Sequence, residues 1–348
     1  MSLQWQASLD PPAPLIEQLA ELNPANPFCT RQFAEAQRQM GARVCILGVG
    51  EHDRLAVGCF GFIRGEYVRR RLQIASLPVV PEGDIFWRGL QTFCRRSGIW
   101  QVQVDSYASV AADVPHLPGE NGRRQRMEYI LDLSASDPFS GASSNHRRNI
   151  ARGISAQLSV RRTRDPELCR THVELIEASF RRRRQRGETV EFESDVSSAV
   201  ALLTSQAGEF FQALEGAQVV SSLLVLRSRT GAYYQSAGTS PRGMEVGASP
   251  FLISKLVDIL QQEGVQVFNL GGAGAESPGL QRFKAGFGTR KVELTAASFC
   301  PQAVVQRGFY AVLRALREEQ RNLCKRVGSR ATAPSPAEKQ MLAEEQKS

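Results

Sequence analysis

The stretch FNLGGAGAESPGLQRFKAGFGTRKVEL, residues 268–294, decides how this chain folds. Glycines follow an apolar run and Glu293 lies about twenty residues further on, so the stretch imitates a dinucleotide-binding fingerprint. A βαβ crossover needs a helix of roughly 10 to 12 residues before the next strand. Between Ser277 and Phe283 there is room for only about two turns before Gly286 and Gly288 interrupt the helix. Serine also occupies the third glycine position, and the absence of a GK[ST] sequence excludes the Walker loop. What remains is a strand, a bend, and a short helix with Ser277 as its cap and Pro278 at its first position. That helix delivers Arg282, Phe283 and Lys284 to a second glycine-rich bend, after which TRKVELTAAS (289–298) reads as a strand.

Working outward, LSVRRT (158–163) reads as a strand, and Asp165-Pro166 opens a helix running through Phe180. A further helix is expected near 195–207. Three strands follow at 209–215, 219–228 and 232–240, separated by the turn signals Glu215-Gly216 and Thr230-Gly231. SPFLISKLVDILQQEG (249–264) places Phe251, Leu252, Leu256, Ile259 and Leu260 on one helical face and stops at a glycine, and VQVFNL (265–270) is a buried strand. The first half repeats this order. RVCILGVG, RLAVGCFGFIRG and RLQIASLPVV are strands, GDIFWRGLQTFCRRSG is a helix, and IWQVQVDSYA and MEYILDL are strands. Arg54 to Gly98 spans 44 positions and Val219 to Gly264 spans 45, so the periodicity predicts two copies of one module rather than one large sheet. The join is expected near a helix starting at Ser136-Asp137-Pro138 and running through NHRRNIARG. An amphipathic helix after Pro301 should pack back on the body, and the tail from 331 has too little apolar surface to order.

The length of 348 residues also favours two domains, and 42% apolar with 22% charged residues is a soluble globular composition. The first residues lack the order of a secretory signal and no apolar run is long enough to span a bilayer, which predicts a cytoplasmic protein without membrane insertion. Seven cysteines without CxxC spacing and only four histidines form no zinc pattern, so no metal is expected and the thiols are expected to be reduced. The net charge is +8, and residues 140–190 hold twelve arginines against five acids. Such a stripe can meet phosphates or serve as a solvated helix face.

The module order of three antiparallel strands, a helix, a parallel strand, a short helix and a closing strand resembles the GNAT acyltransferase fold, an α/β class with a mixed sheet. With NHRRNIARG before the second module and GLQRFKAGFG near its end, the duplicated arrangement resembles the FemAB-like branch, which includes the FemABX peptidyltransferases and the BioF2-like group. The resemblance covers roughly residues 30 to 300 as topology and implies modules at 1–135 and 136–300, a packing helix at 301–330 and a disordered tail at 331–348. It implies a donor held where the fourth and fifth strands splay, beside Ser236, Gly238, Thr239, Gly271 and Gly272. Arg242 and Gly247 fall in the loop where relatives bind pyrophosphate, but the spacing is stretched and Pro250 is close. The donor implied is acetyl-CoA or another acyl-CoA, or an aminoacyl-tRNA.

Acyl transfer to an amine passes through an oxyanion, and Lys284 matches the family lysine beside the reacting carbonyl. Phe283 and Tyr234 are further catalytic candidates, Tyr234 because adjacent tyrosines alternate across a strand. Arg147, Arg148 and Arg152 match the family's basic helix and are candidates for substrate phosphates, as is the run Arg181 to Arg184. No nucleophile turn is present, so attack is expected to be direct, on an acceptor that is small, nucleotide-linked or an envelope precursor. The alternative is a non-catalytic GNAT scaffold that binds a nucleotide, tRNA or anionic polymer in its basic groove.

Overall fold

The computed structural model describes residues 3–52, 54–66, 69–78, 83–109, 113–188, 196–274 and 277–302. The helix and tail expected beyond residue 302, and Cys324 with them, lie outside the described residues.

Twelve strands follow the alternating patterns of the sequence: β1 Gln4–Leu9, β2 Arg43–Glu51, β3 Arg54–Arg64, β4 Arg71–Ile74, β5 Gln101–Val104, β6 Glu120–Asp132, β7 Ser159–Thr163, β8 Gly208–Glu215, β9 Gln218–Arg227, β10 Gly231–Thr239, β11 Val267–Gly272 and β12 Arg290–Phe299. The helices are α1 Ala13–Leu22, α2 Arg31–Gln39, α3 Gly83–Arg96, α4 Ser144–Ser155, α5 Cys169–Gln185, α6 Val196–Thr204, α7 Pro241–Glu245, α8 Ala248–Gln262 and α9 Pro278–Ala285.

The repeat is real at the level of element order. In each half an antiparallel run leads through a helix to a parallel neighbour, β4 with β5 through α3 and β10 with β11 through α8. The expectation of separate modules instead of one large sheet is corrected, because all twelve strands join in the order β1-β2-β3-β4-β5-β12-β6-β11-β10-β9-β8-β7. The reason is an exchange of closing strands. β6, which ends the first half, pairs with β11 and β12, and β12 crosses back to pair with β5. The antiparallel β6–β12 ladder runs from Arg290 opposite Ile130 to Phe299 opposite Glu120 and welds the halves together.

Side chains alternate across this sheet into distinct cores. Adjacent Phe210 and Phe211 on β8 enter different clusters, the first with Leu19, Phe33 and Tyr233, the second with Tyr129, Leu256 and Phe268. A third cluster holds Leu47, Phe86, Val102 and Phe299. The six described cysteines are unpaired and buried, and burial pushes the thiols of Cys29 and Cys45 up to about 12.

Two helix starts differ from expectation. The helix at the join begins at Ser144, where Ser143 Oγ accepts from the His146 amide, while Asp137 closes a local turn by accepting from the Phe139 amide. Asp165 caps a 3-10 turn at Pro166–Leu168, and α5 follows it directly.

Candidate active site

β10 and β11 are hydrogen-bonded neighbours only over Gly231–Tyr233 and Val267–Asn269. Beyond that point β10 bulges between Tyr234 and Ser236 and stays with β9 as far as Thr239, while β11 shifts between Asn269 and Gly272 and stays with β6. The two parallel strands therefore part into a wedge. Gly271 makes this possible: its φ of 70° lies in the left-handed region, and a Cβ there would stand 3.1 Å from the Tyr234 carbonyl oxygen.

Lys284, on α9, fills the wedge. The residue is 4% exposed, and its Nζ donates to the Gly272 carbonyl oxygen at 2.6 Å while lying 5.1 Å from the centroid of the Tyr234 ring. Burial lowers its pKa from 10.5 to about 7; the Glu128 carboxylate opposes this drop and the Arg126 guanidinium adds to it. An ammonium so placed is desolvated and close to its titration point at neutral pH.

The floor of the wedge is a polar network centred on Glu128, which is completely buried on β6. Its Oε1 accepts from Tyr233 Oη and Arg126 Nη2, both at 3.0 Å, and its Oε2 accepts from Asn269 Nδ2 at 2.7 Å and the Ala108 amide at 3.1 Å. Arg126 also donates to the Asp105 carbonyl and lies 4.0 Å from the Tyr107 ring centroid. Every lone-pair direction of the carboxylate is thus satisfied, as a buried charge requires. Of these residues, Tyr233 was weighed from the sequence together with its neighbour Tyr234, while Glu128, Arg126 and Asn269 were not candidates; the signal for Glu128 was one of two acids in the otherwise apolar run MEYILDL.

The other candidates fall into two groups. Tyr234, Gly271 and Gly272 meet Lys284 at the wedge, with burial raising the Tyr234 phenol and keeping its proton on at neutral pH. Phe283 packs its ring on His146 and, edge to face at 5.2 Å, on Phe287. Ser236 is engaged elsewhere: its Oγ meets His172 Nε2 at 2.9 Å, and His172 Nδ1 reaches Ser222 Oγ at 2.9 Å. His172, held at about pKa 4 by burial, thus ties β9 to β10 beside the bulge. A side chain at Gly238 would overlap the α5 backbone at Leu175 and Ile176, and Thr239 Oγ1 lies 3.0 Å from Ser221 Oγ. The stretched loop is folded as α7, with the Gly243 amide donating to Ser240 Oγ and Arg242 paired with Glu215 and Glu245. Gly247, at φ 69°, starts α8 against the Asn149 carbonyl.

Much of the basic stripe is spent on internal bonds. Arg147 donates to the carbonyls of Phe139, Ser140 and Ala142, and Arg152 to that of Glu245. Arg162 and Arg164 pair with Glu209. Arg148 is exposed.

Residues 140–285 match the acetyltransferase (GNAT) domain family. That match covers most of the second half of the described sheet, and the fold as a whole is similar to that of solved tandem GNAT-type proteins. FemX superposes with a TM-score of 0.62 at 12% identity, over 86% of this chain and 99% of FemX. A tandem GNAT protein of the clavulanic acid biosynthesis pathway gives 0.52 at 12% identity, over 86% of this chain and 98% of that one. L-PGS from Bacillus licheniformis gives 0.51 at 14% identity, over 87% and 96%. Comparison with curated proteins by sequence gives no match.

Proposed function

We propose that the chain is an N-acyltransferase that moves an acetyl or aminoacyl group from a thioester or ester donor to the amine of a small, nucleotide-linked or envelope-precursor acceptor. The observation that carries this reading is the parted β10–β11 pair with one desolvated ammonium inside it. The acyl carbonyl enters the wedge, and the neutral amine nitrogen attacks its carbon. Negative charge then grows on the carbonyl oxygen, beside Lys284 Nζ, which exchanges its bond to Gly272 for the stronger one to the oxyanion. As the intermediate collapses, the carbon–sulfur or carbon–oxygen bond breaks. The thiol or hydroxyl leaves with the proton that the amine gives up. Tyr234, kept protonated by burial and with its ring centroid 5.1 Å from the ammonium, is suited to relay that proton, giving its own to the leaving group and recovering the one the amine gives up.

The test is release of free thiol from acetyl-CoA, and of tRNA from aminoacyl-tRNA, with a panel of amines, repeated with Lys284→Ala. Turnover that disappears in the variant supports catalysis. Tight ligand binding without turnover in the wild type supports the scaffold reading instead, which the conversion of the expected pyrophosphate loop into α7 favours.

A further inference from the structure

The last turn of α5 lies across the open end of the wedge. Ser179 Oγ accepts from the Thr239 amide at 3.2 Å, and Arg182 Nη2 donates to the Thr239 carbonyl at 2.5 Å, so this turn is fastened to the end of β10. The neighbouring Arg183 reaches the other side, donating from Nη2 to Ser277 Oγ at 2.5 Å, immediately before α9. Two guanidinium groups therefore link the last turn of α5 to the end of β10 and to the residue before α9.

Among the described residues, three features point to incompletely compensated positive charge at this bridge. Arg182 Nη1 is buried and has no hydrogen-bond partner among the described residues, although such a donor is costly to leave unmet. Burial and the nearby Arg186 both lower the Arg182 pKa, the mark of a cation poorly compensated by its surroundings. Among the described residues, Glu188 is the carboxylate paired here, and it is shared by Arg183 and Arg186. The helix beside them is also uncapped by a side chain, because Arg183 has taken the Ser277 hydroxyl, and the eight-residue α9 presents its positive end toward the same corner. Meanwhile α7 has consumed the loop whose free amides would otherwise receive a pyrophosphate, and Arg242 is neutralised by Glu215 and Glu245.

We propose that Arg182 and Arg183, with the amino end of α9, form a binding site for a phosphate or pyrophosphate group at the mouth of the wedge. The site deepens the acyltransferase reading by supplying the phosphate recognition that the α7 segment does not. The phosphate belongs either to the acyl donor or to a nucleotide-linked acceptor; the chemistry is shared, and the experiment separates the two.

Binding of inorganic pyrophosphate is measured by calorimetry for the wild type, Arg182→Gln, Arg183→Gln and Arg170→Gln. Arg170 is exposed at the start of the same helix and controls for net charge. Loss of one charge-assisted hydrogen bond should weaken binding roughly ten- to hundredfold in the first two variants, with Arg170→Gln within about twofold of wild type. Arg182→Lys, which keeps the charge and a donor, should recover part of the affinity, and thermal melting confirms that each variant is folded. Acetyl-CoA, S-acetylpantetheine and UDP are then compared. Weakening of acetyl-CoA but not of S-acetylpantetheine assigns the site to the donor, whereas weakening confined to UDP assigns it to the acceptor. Absence of pyrophosphate binding in the wild type, or equal weakening by Arg170→Gln, overturns the proposal. Because the probe needs no turnover, an inactive protein that still binds pyrophosphate through Arg182 refutes only the acyltransferase reading.

Discussion

Replacing Lys284 by methionine should make the protein more stable and less active at the same time. The ammonium is 4% exposed and its pKa stands at about 7 instead of 10.5. At about 1.4 kcal/mol for each pKa unit, carrying the proton into the fold at pH 7 or below costs about 5 kcal/mol. Methionine fills a similar volume without that cost, but it leaves the Gly272 carbonyl without its donor, a loss of about 1–3 kcal/mol. The balance is a gain of about 2–4 kcal/mol at low pH. Between pH 7 and 10.5 the unfolded lysine binds a proton that the folded one has released, so wild-type stability rises with pH across this window. The advantage of the variant should accordingly be constant below pH 7 and vanish or reverse toward about pH 10. Urea unfolding of both proteins at about pH 6 and about pH 9.5 measures it. A variant less stable than wild type at the lower pH, or an offset identical at both, would refute the argument. Acyl transfer should fall by about 10²–10³ in kcat, the usual effect of removing one oxyanion donor.

The remaining expectations concern the same wedge. With a weakly basic acceptor such as hydroxylamine, kcat/KM should decline as pH rises through about 7, where Lys284 loses its charge, and Lys284→Arg should move that limb to higher pH; a profile that rises through 7 would make the lysine a base and overturn the oxyanion role. Glu128→Ala leaves the partly buried Arg126 and the buried Asn269 without their acceptor and should destabilise the fold by about 3–5 kcal/mol in urea unfolding. Glu128→Gln keeps the volume but removes the charge that raises the Lys284 pKa, so the high-pH limb should shift downward. Gly271→Ala forces a side chain into φ 70° at a backbone cost of about 1–2 kcal/mol. Its methyl would lie 3.5 Å from Lys284 Nζ, so thermal melting should fall by a few degrees and turnover with it.

Strands and helices from β7 to β12 were legible because apolar alternation and glycine turns mark their limits, and the lysine because it stands on a short helix between two glycine-rich bends. The opening of β10 from β11 was legible through resemblance; nothing in SAGTS or FNLGG alone states where pairing stops. Glu128 was missed for a physical reason. An acid in an apolar strand is ordinarily turned to solvent, and the groups that let this one stay buried come from β10, β11 and the segment at Ala108, which meet only in three dimensions. Ser277 has the sequence of a helix cap, but its hydroxyl is claimed by Arg183 from a helix almost a hundred residues earlier. His172 could be weighed from the sequence only as a base lacking a carboxylate partner; its role in tying β9 to β10 was hidden because its partners are two serines on those strands.

The place of β12 between β5 and β6 has a consequence for synthesis on the ribosome. Until Phe299 has emerged, β5 keeps an open flank and the first half of the molecule must wait, its ladder unfinished, for a partner that follows much later in the chain. Cutting the chain in two should therefore yield sticky fragments instead of two working domains. The same interlock ties the two halves along the whole β6–β12 ladder, so a cut between them breaks the sheet at its middle.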